Sequence, residues 1–193
     1  MVNDILEQIA EDYFRELGYF TQHNVKYKPK EKGPAFSVHS DIDIIGVHPK
    51  KSGVEKVIVV SCKSWQGGMS IEKELDMLKN NPEKITNGKS SEKRWKEFFN
   101  KYWTEGLRQK VFEMSGQKNF TFCLAVTKYT GKKELWENFE SFTENFPGCR
   151  IEIIDLETMI LTIQKLLTTT PAHSELSRLM QLIKAGGGGI TYR

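Results

Sequence analysis

The sequence predicts an α/β fold, with a central mixed sheet flanked by helices. Three observations carry this. Apolar runs follow one another in the order α-β-β-β-α-α-β-α-β-α-α along the 193 residues. Two short β-branched runs, Asp41 to His48 and Val57 to Lys63, are separated by the turn-forming stretch Pro49 to Gly53 and read as an antiparallel hairpin. Ahead of them, residues 2–17 place Ile5, Leu6, Ile9, Ala10, Tyr13, Phe14 and Leu17 at helical spacing, and Gly18 stops the helix.

The remaining elements follow in order. Residues 20–28 read as a first strand, and 29–39, with Pro29, Gly33 and Pro34, as a loop. The second strand is expected over 41–48 and the third over 54–63. A helix over 70–80 closes at Asn80-Asn81-Pro82. A longer helical region, 91–115, carries Trp95, Phe98, Phe99, Tyr102, Trp103 and Leu107, as core residues or as a base-stacking platform. Residues 119–127 predict a strand, 135–146 a helix and 150–155 a strand. Helices over 156–168 and 173–185 complete a single domain of residues 1–185, with a helical insertion at about 69–115 and a flexible tail at 186–193.

Hydrophobic residues make up 38% and the net charge is +3, which fits a soluble globular protein and does not by itself argue for nucleic acid. Charge is clustered: Lys26, Lys28, Lys30 and Lys32 alternate along an extended segment, either as phosphate contacts or as solvated lysines. Cys62, Cys123 and Cys149 form no close pair and no Cys/His metal spacing, so buried free thiols in a reducing compartment are expected. The N-terminus carries no basic region with an apolar signal core, and no apolar run reaches transmembrane length. The expectation is a cytoplasmic protein with no membrane partner.

Strand alternation puts Asp41 and Asp43 on one face, and Ser61 and Lys63 on one face. An Asp and a Lys at the ends of paired buried strands are costly unless satisfied or used. A carboxylate for a hard cation and a lysine for a phosphate oxygen would use both. His39 and His48 flank the second strand, as strand-end polar residues or proton shuttles.

Leu17-Gly18-Tyr19, Asp41-Ile42-Asp43-Ile44 and Ser61-Cys62-Lys63-Ser64-Trp65 together resemble the core of the PD-(D/E)xK nuclease superfamily. The likeness is nearest to its Mrr-like type IV restriction and archaeal Holliday-junction-resolvase branches. It implies a restriction-endonuclease-like αβββαβ core and a Mg²⁺-dependent DNA endonuclease, with Mn²⁺ as a substitute. It also implies catalytic roles for Asp43 and Lys63. Glu7, eleven residues before Gly18, stands where these families carry a helix-1 glutamate, and it lies nearer the apolar face than Glu11. The acid expected two residues before the lysine is replaced by Ser61, a poor Mg²⁺ ligand. Some superfamily members with Ser-x-Lys recruit an acid from the following helix, which here offers Glu72, Glu74 and Asp76. Asp76 fits the spacing best, Glu74 lies closest to the apolar face, and Glu7 is the third source. The alternative is a catalytically inactive nuclease-fold DNA-binding module. Cutting both strands of a duplex calls for two sites, so a homodimer is expected, with 91–115 as its candidate interface.

Overall fold

The computed structural model describes residues 4–30, 39–80, 95–168, 172 and 174–187. It is an α/β structure with a central mixed five-stranded sheet flanked by helices. The strands are β1 (Phe20–Tyr27), β2 (Ser40–Val47), β3 (Val57–Lys63), β5 (Thr121–Val126) and β7 (Arg150–Asp155), in the order β1-β2-β3-β5-β7. β1, β2 and β3 are antiparallel; β3, β5 and β7 are parallel. β3 is therefore the seam between the two halves, and its last residue, Lys63, is level with Val126 of β5. Two two-residue strands, β4 (Met69–Ser70) and β6 (Tyr129–Thr130), pair separately and are too short to leave a periodicity signal.

Alternation along β3 separates two cores. Ile58 and Val60 pack on the helix α1 (Ile5–Glu16), with α7 (Leu156–Leu166) and α8 (Glu175–Ala185) behind it. Val57 and Val59 face an aromatic layer built by α2 (Ile71–Asn80), α3 (Lys96–Phe99), α4 (Lys101–Ser115), α5 (Lys133–Glu137) and α6 (Glu140–Asn145). Trp95, Phe98, Trp136 and Phe146 are fully buried there, with Trp95 stacked on Phe98 at 5.5 Å between ring centres. Those rings are core, not a base-stacking surface. The apolar bulk of the predicted 91–115 helix is largely internal, and Tyr102 is exposed.

Several boundaries differ from expectation for local reasons. The 91–115 helix is broken at Asn100, whose side-chain oxygen accepts the Tyr102 N–H at 3.0 Å and starts α4; residues 91–94 lie outside the described residues. The 135–146 helix is two, because Phe139 takes an extended backbone between α5 and α6. β3 begins at Val57, after a 3₁₀ turn at Gly53–Glu55. Ile5, placed on the apolar face of α1, is 70% exposed, whereas Asp12 is buried, accepting hydroxyl hydrogen bonds from Ser174 and Ser177 of the last helix. His48 accepts the Lys50 and Lys51 N–H groups at 3.1 Å and so closes the β2–β3 turn, at the opposite end of β3 from Lys63. Among the described residues no helix is long and apolar enough to cross a membrane.

Gly106 lets α4 lie against the end of β1. A Cβ there would stand 2.1 Å from the Lys28 carbonyl oxygen, while the Lys30 N–H donates to the Tyr102 carbonyl at 2.9 Å. Glycine to alanine inside a helix normally stabilises by about 1 kcal/mol. Here the close approach reverses the sign: Gly106→Ala should destabilise by about 1–3 kcal/mol, read as a lower urea midpoint.

Candidate active site

The β2–β3 ladder runs from Val47 opposite Val57 to Ile44 opposite Val60 and stops there. Beyond it the strands part. The Cys62 N–H donates to the Asp43 carboxylate (Oδ2) at 2.6 Å, so a side chain takes over where the ladder ends. The strand turns over at this point. Ile42 joins the aromatic layer and Ile44 the α1 layer, although two residues apart on a strand should share a face. Opposite Asp43, Asn24 takes φ 54° and drops out of the β1–β2 pairing.

Lys63 does not form an ion pair with Asp43. Its ammonium donates to the Ser61 hydroxyl at 2.9 Å, and Ser61 favours the ionised form of the Asp43 carboxyl. Ser61, the odd member of the motif in sequence, thus holds the lysine. Burial raises the Asp43 carboxyl above its ordinary value; Lys63, the Cys62 N–H and Ser61 pull in the other direction.

Glu7 approaches from α1. The Asp4 carboxylate caps that helix by accepting the Leu6 N–H at 2.8 Å, and its second oxygen accepts the Ser64 hydroxyl at 2.6 Å. The first turn of α1 is thereby tied to the residue after Lys63. Burial and then repulsion from Asp43 raise the Glu7 carboxyl, and Lys63 opposes both. Glu11, expected in solvent, is only 15% exposed and is held by Arg15 at 2.9 Å and by the Thr21 hydroxyl.

The other two acids have different partners. Glu74 accepts the Trp95 indole N–H at 2.6 Å, and Asp76 accepts the Asn80 amide at 2.6 Å on the exposed side of α2. One acid escaped the sequence reading altogether. Glu97 on α3 is buried and, with Tyr27, Asp41 and Ser61, lines a small cavity. Burial pushes its carboxyl up to about 7, against the pull of Lys63 and Lys96. Its signal in the sequence is a lone glutamate set between Trp95, Phe98 and Phe99.

Lys26, Lys28, Lys30, His39 and Lys110 line a groove of about 420 Å³ between β1 and α4. Tyr27 lines both this groove and the cavity beside Ser61. Lys26 pairs with Asp41 at 3.4 Å and Lys30 with Glu105 at 3.6 Å; Lys32 lies outside the described residues. Among the described residues, no three His, Cys, Asp or Glu side chains gather closely enough to cage a metal ion. The donor set is carboxylates beside a lysine and a hydroxyl. This suits a hard cation that keeps waters and takes one or two protein carboxylates.

Comparison with family models, with curated proteins and with solved structures returns no match for this chain.

Glu97 has a stability consequence of definite sign. Its folded value, about 7, lies above the ordinary 4.5, so the folded chain holds the proton more tightly. Stability is then lost as pH rises from 4.5 to 7. Relative to wild type, Glu97→Gln should gain up to about 3 kcal/mol by pH 8 and nothing at pH 4.5, read from chemical denaturation at each pH. Parallel pH curves for the two proteins would refute the assignment.

Proposed function

We propose that this chain is a metal-dependent DNA endonuclease of the PD-(D/E)xK kind, with α1, β1, β2, β3, the helices after them and β5 as its restriction-endonuclease-like core. The observation that carries the proposal is the fork between β2 and β3. It ties the Cys62 N–H to Asp43 and Lys63 to Ser61 by hydrogen bonds, and brings the fields of Lys63 and Glu7 onto Asp43. The lysine-lined groove beside it supports a polyanionic substrate, whose backbone it would hold by salt-sensitive phosphate contacts.

In this site Asp43 and Glu7 would hold Mg²⁺ or Mn²⁺, and the ion would supply charge neutralisation and a more acidic bound water. Lys63, oriented by Ser61, stands ready to stabilise charge developing on a phosphoryl oxygen. Ser61→Ala should therefore lower turnover by freeing Lys63, although serine is no ligand. The three free cysteines support a reducing, cytoplasmic setting, and a homodimer would supply two sites for the two strands.

A second function has an observation of its own: β3 carries serine where the motif has an acid, and the Asp43 carboxylate already serves Cys62. That favours a non-catalytic DNA-binding module. Supercoiled, linear and branched DNA with Mg²⁺ or Mn²⁺ separates the two. The expected result is cleavage, reduced at least about 100-fold in Asp43→Asn and Lys63→Ala. Asp43→Asn is the variant to use, because it keeps an acceptor for the Cys62 N–H. Charge removal at Lys26, Lys28 and Lys30 should weaken binding and flatten its salt dependence. Salt-dependent binding without cleavage by wild type would leave the binding module.

A further inference from the structure

The strands of the main sheet finish together. Tyr27 of β1, Lys63 of β3, Val126 of β5 and Asp155 of β7 share one end, with Ser40 at the start of β2. Open α/β sheets take ligands outside the carboxyl ends of their strands, where the topology changes direction. Here the direction changes at β3. The lysine-lined groove stands at this end beside β1, and the Asp43–Lys63 fork lies between β2 and β3. On the β5 side of the fork is a further cavity of about 270 Å³.

The chain builds this cavity from the two turns that leave β3 and β5. The Lys63 carbonyl accepts the Trp65 N–H and the Trp65 carbonyl accepts the Gly68 N–H, both at 2.9 Å. The Met69 N–H then donates to the Lys128 carbonyl at 3.0 Å, and β4 pairs with β6, so the two turns are locked together. Gly68, at φ 75°, lets the Lys128 stem lie along its backbone: a Cβ there would stand 2.5 Å from Lys128 Cγ. Every polar side chain of the lining, Ser70, Lys73, Lys128, Tyr129 and Thr130, can donate a hydrogen bond, and none is an acid. Glu72, beside Lys73 in sequence, turns instead to the Lys132 N–H at 3.4 Å. Among the described residues neither lysine forms an ion pair, whereas Lys26 and Lys30 of the groove each have one.

We propose that this cavity holds a backbone phosphate of a nucleic-acid strand that crosses the fork. This rests on the nucleic-acid substrate proposed above. Ser61 lines its small cavity with Phe122 of the aromatic layer, and alternation puts Lys63 on that same face, where Tyr27, Met69 and Tyr129 also pack. Neighbouring strands lie about 5 Å apart, so phosphates laid across the strand ends pass from groove to fork to cavity without leaving this face. A phosphodiester carries negative charge and many acceptors. It matches two lysines and three hydroxyls with no carboxylate to repel it. Such a contact positions the strand and carries no sequence information.

The test is binding of a labelled DNA duplex by the full chain without divalent metal, over a salt series. The proteins are wild type, the double variant Lys73→Gln with Lys128→Gln, Gly67→Asp and Gly67→Ala. Losing one phosphate contact lowers the slope of log affinity against log salt by about 0.9, which is the change expected of the double variant. Gly67 borders the cavity without a positive φ, and a Cβ there meets nothing within 4 Å, so either replacement fits the fold. Gly67→Asp, which adds a carboxylate to the cavity, should weaken binding at least about 10-fold, and Gly67→Ala should bind as wild type does. Unchanged slope in the double variant, unchanged affinity in Gly67→Asp, or no DNA binding by wild type overturns the proposal. Inorganic phosphate is titrated in parallel. If the variants lose it and keep wild-type DNA binding, the cavity serves a small phosphate compound and the proposal is overturned. Cleavage with Mg²⁺ is scored separately. Cleavage by wild type with unchanged DNA binding in every variant removes the cavity and leaves the nuclease. Cavity-dependent binding without cleavage keeps the phosphate contact and removes the nuclease.

Discussion

The site depends on the hydrogen bond from the Cys62 N–H to the Asp43 carboxylate. Where two strands part, one of them is left with a donor that has lost its ladder partner, and an unmet buried donor costs about 1–3 kcal/mol. A carboxylate meets that need with a charge-assisted bond, stronger than the amide pair it replaces. Asp43 is thus part of the sheet as well as part of the site. Its orientation is set by the backbone of β3, and Lys63 follows on the same strand, one alternation beyond Ser61. Acid, hydroxyl and ammonium are placed by two strands with no loop between them and the site.

The helical layers complete the arrangement from either face. α1 is pinned at its first turn by Asp4, which caps the helix and binds Ser64, so Glu7 is held relative to β3 and not merely near it. On the other face, rings of Trp95, Phe98, Phe122 and Phe142 hold α3 firmly enough to keep a glutamate under the protein surface. Each face contributes one acid whose ionisation is opposed by its surroundings and favoured by Lys63.

The five sheet strands were legible because each is a β-branched or aromatic run bounded by turn residues, and their positions agree to within a few residues. Helix breaks were less legible. Asn100 and Phe139 interrupt periodic patterns without glycine or proline, through a side-chain cap in one case and ring packing in the other. The turnover at Asp43 was invisible in principle, because alternation assumes a regular strand and Asn24 with φ 54° breaks it. Helical spacing placed Glu74 nearest the apolar face, where it accepts the Trp95 indole N–H, a partner the spacing does not reveal. Glu97 was hidden because its neighbours read as core. A charged residue inside an aromatic run is the signal that would have exposed it.

Asp12 carries a consequence for the order of events in folding. Its buried carboxyl joins α1 to Ser174 and Ser177, residues more than 160 positions away. A contact of such long sequence separation forms late, after the intervening chain has ordered. Until α8 docks, α1 lacks the two hydroxyls that hydrogen-bond the buried Asp12 carboxyl. A nascent chain emerging from its N-terminus would have the β1–β3 meander in place well before this acid is secured. The packing of the helix that carries Glu7 is therefore completed by a segment that follows all five sheet strands in the chain.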